Sequence, residues 1–194
     1  MAKTSSTGLI PRKNLYGLEH PSAQNFRVGN SATLVVGDVV RINTAGGVVR
    51  AAAGNPVLGV VTGLVDENDM NLFSLGYTNN TGATITPDDT VVTSATNTTR
   101  ANYIKAKVQT DPAGIMLYYN DANGDLALAN LGQLFDLLAA SDQIDQATAS
   151  DASGQFQLVE IDPDNDGDAS KGLWRVAEPQ LLSQIGNSAT VIAA

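Results

Sequence analysis

The fold class is decided by Val39-Val40-Arg41-Ile42, Ala45-Gly46-Gly47 and Val48-Val49-Arg50-Ala51, two β-branched runs joined by a glycine turn. Branched side chains favour extended backbone and adjacent glycines allow a tight turn, so this stretch predicts a β-hairpin. Asn55-Pro56 then interrupts the chain before Val57-Leu58-Gly59-Val60-Val61. Because that last run is almost continuously apolar, it predicts a strand buried on both faces.

Short strands separated by turns continue along the chain in both directions. The other predicted strands are 32–36, 72–75, 84–86, 90–93, 103–108, 114–119, 125–128, 156–161 and 173–176. Asn123-Gly124 predicts a hairpin turn between two of them. About ten short strands at this spacing indicate a mainly β chain, a single β-barrel or β-sandwich domain with at most one short helix.

One stretch departs from the strand pattern. Four apolar residues are spaced as on one face of a helix: Leu131, Leu134, Phe135 and Leu138. This spacing predicts a short helix, with a strand over 133–138 as the alternative. Residues 139–154 are rich in Ala, Ser, Asp, Gln and Thr and are predicted to form a loop. The sequence has no fixed-period repeat, which argues against a propeller or a solenoid.

The composition of the 194 residues excludes several kinds of chemistry. There is no cysteine, which removes disulfide scaffolds, cysteine zinc sites, iron–sulfur clusters and thiol nucleophiles. A formal net charge of −9 argues against a general nucleic-acid binder, because affinity for phosphate backbones comes from clustered cations. The sequence shows neither a secretory signal nor an apolar run near the ~20 residues of a membrane span. We therefore expect a soluble protein made in a cytosol.

The charge divides the chain after residue 27. Residues 1–27 contain four cations and one acid, a net of +3, and residues 28–194 have a net charge of −12. Pro11 and Pro21 disfavour regular pairing in the first segment, which is nevertheless rich in aliphatic and aromatic residues. We predict an extended N-terminal arm over 1–27 and a β-barrel or β-sandwich body over 28–194. The arm either folds back on its own domain or docks on a partner.

A run of alternating carboxylates is the strongest local motif. Asp162, Asp164, Asp166 and Asp168 precede or flank Gly167, as in calcium loops of the D-x-D-x-D-G type. An EF-hand needs a bidentate glutamate at its twelfth position, and that position is Leu173 here. The alternating aspartates make this loop a candidate calcium site, although the twelfth ligand of an EF-hand is missing. The alternative is an exposed acidic turn. No metal and no cofactor are assigned from the sequence.

Catalytic motifs are missing from the sequence. The nucleophile elbow G-x-S-x-G, the phosphate loop G-x-x-x-x-G-K-[ST], G-x-G-x-x-G and H-E-x-x-H do not occur. The one histidine, His20, lies in the N-terminal segment before Pro21 and is interpreted as a contact residue rather than a base. Trp174 lies on an alternating strand and is predicted to pack in the core or at its rim. The sequence predicts a protein that is not an enzyme, and a hydrolase using turn carboxylates is only a remote alternative.

Three short stretches of the sequence carry a resemblance to a known family. Val36-Gly37-Asp38-Val39-Val40, Gly46-Gly47-Val48 and Leu58-Gly59-Val60-Val61-Thr62-Gly63 resemble segments of the decoration, or cement, proteins of tailed-bacteriophage heads. The resemblance continues more loosely through 103–106, 124–126, 154–158 and 172–176. It covers most of residues 30–180 as a pattern of short motifs.

The resemblance implies a structural virion protein without an activity of its own. Such proteins bind the outside of an assembled capsid, bridge major capsid proteins and form homotrimers. No nucleic acid or membrane is expected as a partner. On this interpretation the N-terminal segment contacts the shell, and its candidate contact residues, selected by charge and aromatic character, are Arg12, Lys13, Tyr16, Phe26 and Arg27. The alternative is a calcium-stabilised β-sandwich adhesin or carbohydrate-binding module.

Overall fold

The computed structural model describes residues 8–15, 23–66, 84–85, 91–92, 104–138, 143–162 and 170–177. Strands account for 54% of these residues, and the helical part of them is one 3-10 turn, Leu128–Asn130. The prediction of a mainly β chain is confirmed, and the two larger sheets form a sandwich rather than a closed barrel. Within the described ranges, no helix has the length and apolar character needed to cross a membrane.

Fourteen strands are formed by the described residues. In chain order they are β1 (Ile10–Asn14), β2 (Gln24–Arg27), β3 (Thr33–Leu34), β4 (Val39–Ile42), β5 (Val48–Arg50), β6 (Gly59–Val65), β7 (Thr84–Ile85), β8 (Val91–Val92), β9 (Lys105–Thr110), β10 (Met116–Asp121), β11 (Leu134–Leu137), β12 (Ile144–Ser150), β13 (Phe156–Ile161) and β14 (Lys171–Val176).

The strands form three antiparallel sheets. A six-stranded sheet has the order β1-β10-β14-β13-β11-β12, a five-stranded sheet has the order β2-β9-β6-β4-β5, and a small sheet joins β3, β8 and β7. The hairpin predicted from the glycine turn is β4–β5, in which Arg41 lies opposite Val49. Just beyond β2, Val28 forms a single bridge with Val48 of β5, so the five-stranded sheet curls until its two outer strands meet there.

The five-stranded sheet is buried on both faces. Val60 of β6 packs in the core between the two large sheets, while Val61 and Leu64 of the same strand pack in a second core on the other side. The prediction of a doubly buried strand is therefore confirmed. Burial of apolar side chains therefore stabilises this sheet on both of its faces, which explains why the run 57–61 is almost continuously apolar.

The core between the two large sheets is built around aromatic side chains. Trp174 of β14 is fully buried, its ring meets that of Phe135 edge to face at 5.1 Å, and its indole N–H donates to the carbonyl of Asn120 at 3.3 Å. Gln155 is also fully buried, and its side-chain amide donates to the carbonyls of Ala52 and Asn55. This glutamine ties the six-stranded sheet to the chain that leaves the β4–β5 hairpin.

Three local predictions are wrong. The predicted helix is instead the strand β11, which agrees with the alternative of a strand over 133–138. Phe135 and Leu137 are buried, while Leu131, which a helix would bury, is 43% exposed. Part of the predicted loop 139–154 is the strand β12, which pairs with β11 and also accepts the Asp136 amide at Thr148 Oγ1. Residues 125–128 are not a strand, since the Asn130 side chain closes a turn by accepting the amide of Ala127, and Asn123-Gly124 is therefore not a hairpin turn.

The N-terminal segment contributes strands to both large sheets. Strand β1 pairs with β10, and β2 pairs with β9. The backbone N–H of Leu9 donates to the carbonyl of Gly37, and the Leu9 side chain is buried in the core between the sheets. Residues 8–15 and 23–27 therefore have the folded-back arrangement, the first of the two alternatives for the predicted arm.

Candidate binding surface

The predicted contact residues are divided between two edges of the molecule. Arg12 and Lys13 belong to β1 and are exposed at the edge of the six-stranded sheet. Phe26 and Arg27 belong to β2, the edge of the five-stranded sheet. Tyr16 lies outside the described residues. The structure therefore gives two separate groups rather than a single contact patch.

The group on β2 is engaged within the chain. Phe26 is partly buried and packs against the second core. The Arg27 guanidinium donates to the carbonyl of Ala45 at 2.7 Å, which links β2 to the β4–β5 turn. Both residues hold the five-stranded sheet together, so β1 is the better placed of the two strands for contact with a partner.

Arg12 lies in a small network of aromatic and charged groups on β1 and β10. Its guanidinium is 5.3 Å from the ring centroid of Tyr119, a cation–π contact. The Tyr119 hydroxyl donates to the carboxylate of Asp162. Burial, this hydrogen bond and the Asp162 charge raise the pKa of Tyr119 from 10.0 to about 12. The network presents an arginine and a tyrosine side by side, the residue types enriched in protein interfaces.

Lys13 lies on the other side of the same recess. Its ammonium is 3.9 Å from the Glu160 carboxylate, with both side chains about half exposed, so the pair contributes little to stability. The recess measures about 290 Å³, and its lining is Arg12, Lys13, Tyr119, Glu160, Asp162 and Leu173. These side chains combine both charges with apolar surface, which favours a shallow contact with another macromolecule over an enclosed small-molecule site.

Exposed apolar side chains extend the surface beyond Lys13. Leu15 and Val159 are 41% and 37% exposed, and both line a second shallow recess with Gln157 and Arg175. Strict alternation along 156–161 would have placed Val159 on the outer face, so that signal was available in the sequence. The same alternation would have buried Glu160, but a bulge between Leu158 and Glu160 turns its side chain outward. We call Arg12, Lys13, Leu15 and Val159 the β1 surface.

The calcium candidate is only partly described. Asp162 accepts the Tyr119 hydrogen bond, and Asp164, Asp166 and Asp168 lie outside the described residues. Across the described ranges, no three His, Cys, Asp or Glu side chains come close enough together to hold a metal ion. The calcium assignment therefore stays a prediction for the rest of that loop.

The Gly-Asp-Val-Val motif has a structural role in the loop before β4. Gly37 has a φ of +97°, a left-handed conformation that favours glycine. Asp38 is buried, accepts the amide of Val35 at 2.8 Å, and pairs with the guanidinium of Arg50 at 2.9 Å. Because the Asp38 carboxylate both accepts a hydrogen bond within the turn and pairs with Arg50 of the neighbouring strand β5, the motif fixes where β4 begins.

A buried carboxylate closes the connection between β9 and β10. Asp111 is 1% exposed and accepts the amides of Ile115 at 2.9 Å and Met116 at 3.2 Å. Burial raises the pKa of Asp111 from 3.8 to about 6, although the backbone hydrogen bonds oppose this shift. The pKa of the neighbouring Tyr118 is also raised, by its own burial and by the Asp111 charge. Asp111 is thus the described carboxylate best placed to make stability depend on pH.

We expect stability to fall as the pH rises through the range in which folded Asp111 ionises. Because its pKa is higher in the folded than in the unfolded state, the folded protein binds the proton more tightly, and this contribution is complete below about pH 3.8 and lost above about pH 6. Urea unfolding of wild type and Asp111→Asn between pH 4 and 7 measures this contribution. The difference in free energy of unfolding between the two proteins is expected to change by more than about 1 kcal/mol over that range. Asp125→Asn, at an exposed aspartate, is the control, and an unchanged difference for Asp111→Asn would refute the assignment.

No protein-family model, curated protein or solved structure matches this chain.

Proposed function

We propose that this chain is a structural protein of a tailed-phage virion, which binds the outside of the assembled capsid and stabilises it by bridging major capsid proteins. In this proposal it is not an enzyme, and its partners are the major capsid protein and further copies of itself in a homotrimer. Nucleic acid and membrane are not among its partners. It is synthesised in the host cytoplasm and resides on the outer surface of the capsid.

The β1 surface is the observation that carries this proposal. The resemblance implies that the N-terminal segment contacts the shell, and Arg12, Lys13 and Leu15 are exposed on β1 and directly after it. Exposed Val159 and the Arg12–Tyr119 stack extend it into a patch of apolar, aromatic and charged groups. Such a patch has the composition of a protein interface. The mainly β sandwich is a suitable rigid support for it.

The physical basis of such a role is preferential binding. A protein that binds the assembled lattice more tightly than the free subunits shifts the equilibrium towards the assembled form. Repetition over the shell and joining of copies into a trimer supply avidity, so each individual contact can be modest. A shallow surface such as the β1 surface is sufficient under these conditions.

Cosedimentation tests the proposal directly. The purified full chain is mixed with expanded capsids or with procapsids assembled from the major capsid protein of the phage that encodes it. We expect it to sediment with expanded capsids and to remain in the supernatant with procapsids. Absence of binding to expanded capsids would refute the proposal. A large fall in melting temperature on adding EDTA would instead favour the calcium-stabilised module.

The contact surface is tested by substitution, because deleting residues 2–27 would also remove β1 and β2. We expect Leu15→Asp with Val159→Asp to weaken capsid binding at least about tenfold, since a buried interface does not accept unpaired carboxylates. Both side chains are already exposed, so folding should be retained, which the fluorescence of Trp174 checks. Leu128→Asp, at a residue 81% exposed outside the β1 surface, is the matched control. Equal capsid affinity of wild type, the double variant and the Leu128→Asp control would exclude the β1 surface as the contact.

A further inference from the structure

Asn123 fastens β12 to the chain that leaves β10. Its backbone N–H donates to the carbonyl of Ile144 at 3.0 Å. Its side-chain oxygen accepts the amide of Gln146 at 2.7 Å, and its side-chain nitrogen donates to the carboxylate of Asp145 at 2.9 Å. Because one side-chain partner is a donor and the other an acceptor, the orientation of the Asn123 amide group is determined. We call these three hydrogen bonds the Asn123 clamp.

The residue that follows Asn123 makes its side chain chemically labile. A backbone nitrogen can attack the side-chain carbonyl of the asparagine before it, and a side chain on the attacking residue hinders this ring closure. Gly124 has no side chain, and no other asparagine in the sequence precedes a glycine. Asn123 is also exposed, so water can reach the ring once it forms.

The reaction replaces the side-chain amide by a carboxylate. The Gly124 nitrogen forms a bond to Cγ of Asn123 while the Cγ–Nδ2 bond breaks, and ammonia leaves with the proton that the Gly124 nitrogen carried. Water then opens the cyclic imide at either of its carbonyl carbons. Opening at Cγ gives aspartate, and opening at the backbone carbonyl carbon gives isoaspartate, in which the main chain runs through the former side chain.

Neither product can form the clamp. In aspartate a carboxylate oxygen replaces the nitrogen that lies 2.9 Å from the Asp145 carboxylate, and two carboxylates at that distance repel each other. In isoaspartate the remaining carboxylate is displaced, because the main chain occupies the former position of the side chain. Both products therefore weaken the attachment of residues 144–146 to residue 123.

We infer that Asn123 is a site of spontaneous deamidation and that its conversion to aspartate or isoaspartate irreversibly loosens β12. The clamp delays the reaction in the folded chain, since ring closure requires a freedom of the side chain that its two hydrogen bonds restrict. Deamidation therefore follows local opening at β12, and the product makes that opening more frequent. The inference concerns the chain alone and does not depend on capsid binding.

Peptide mass spectrometry of the purified full chain, incubated in mildly alkaline buffer, measures the conversion of residue 123. We expect conversion to be at least about tenfold slower in the native chain than in guanidinium chloride, where the clamp is absent. Asp145→Ala removes the acceptor of the Asn123 side-chain nitrogen and should raise the native rate about tenfold. Gly124→Ala is the matched control and should suppress conversion, since its Cβ would approach only the Gln146 side chain, at 3.3 Å.

Hydrogen exchange of the β12 amides tests the consequence. Asn123→Asp, and the converted fraction of an aged sample, should exchange the amides of Gln146 and Ala147 at least about tenfold faster than fresh wild type. Asn123→Asp with Asp145→Asn exchanges donor and acceptor and should restore the protection. Asn30→Asp, which adds the same charge at an exposed residue between β2 and β3, is the control and should have no effect on β12.

Three results would overturn the inference. The first is native conversion of residue 123 no faster than in the Gly124→Ala chain. The second is equal conversion in the native and the unfolded chain, which would remove the clamp from the account. The third is unchanged exchange of the β12 amides after conversion. Trp174 fluorescence checks that every variant is folded.

Discussion

Gly59→Ala is expected to destabilise the protein by about 3 kcal/mol or more, because β6 and β9 lie too close together at that point to admit a side chain. A Cβ at Gly59 would lie 2.0 Å from the carbonyl oxygen of Gln109 and 2.8 Å from its carbonyl carbon. Both atoms are backbone, so relief requires the two strands to separate. Since β6 and β9 pair along most of their length in the middle of the five-stranded sheet, separation exposes both cores.

Gly63→Ala is the matched control for this prediction. Gly63 belongs to the same strand, but its Cβ would meet only the Lys107 side chain at 3.6 Å, an ordinary contact. We expect this variant to have the stability of wild type or slightly more, because alanine restricts the unfolded chain. Urea unfolding followed by Trp174 fluorescence compares the two. Equal stability of both alanine variants would contradict the close approach of β6 and β9.

Trp174→Ala is expected to cost about 3–5 kcal/mol, the usual cost of truncating a buried aromatic residue. The substitution removes a fully buried side chain, the edge-to-face contact with Phe135 and the hydrogen bond to the Asn120 carbonyl. The cavity would lie between the two large sheets, where the surrounding strands cannot easily collapse. Urea unfolding followed by far-UV circular dichroism measures the loss, since the variant has no tryptophan left to fluoresce.

Trp174→Phe separates packing from hydrogen bonding. It keeps an aromatic ring against Phe135 and removes the indole N–H, so we expect a smaller loss of about 1–2 kcal/mol. An alanine variant no less stable than the phenylalanine variant would show that the ring does not hold the sheets together.

The hairpin and the central strand could be predicted because their signals are local. The glycine turn at 45–47 and the branched residues around it require no information from the rest of the chain. The apolar run 57–61 likewise predicted burial on both faces, and Trp174 was expected in or near the core. These elements agree with the structure because local preference and tertiary packing favour the same conformation.

The wrong predictions share a different cause, which is stabilisation by distant residues. Strand β12 has no apolar alternation, and it is held by pairing with β11 and by hydrogen bonds from its amides to the side chains of Asn120 and Asn123. Phe135 and Leu138 fit a helix by spacing, but the neighbouring strands β12 and β13 supply backbone partners that a helix could not use. Propensity is a weak guide wherever tertiary contacts decide the conformation.

The candidate surface could be predicted only in part. Arg12 and Lys13 were selected by charge, and the structure places both on an exposed edge. Phe26 and Arg27 were selected on the same grounds of charge and aromatic character, but they stabilise the five-stranded sheet. Composition cannot distinguish the two pairs, because the difference lies in which strand each one pairs with. Tyr119 lies beside Arg12 because of the register between β1 and β10, and Glu160 points outward because of a bulge in β13. Neither feature can be read from the local sequence.

The pairing of the first strands also determines when the chain can fold. Residues 10–14 pair with 116–119, and residues 24–27 pair with 105–108. During synthesis the N-terminal strands therefore have no pairing partner until more than half of the chain has left the ribosome. Closing such long loops is entropically costly, and domains dominated by distant pairings fold slowly. β1 and β2 come first in the sequence, but they are expected to pair only after β9 and β10 have been made.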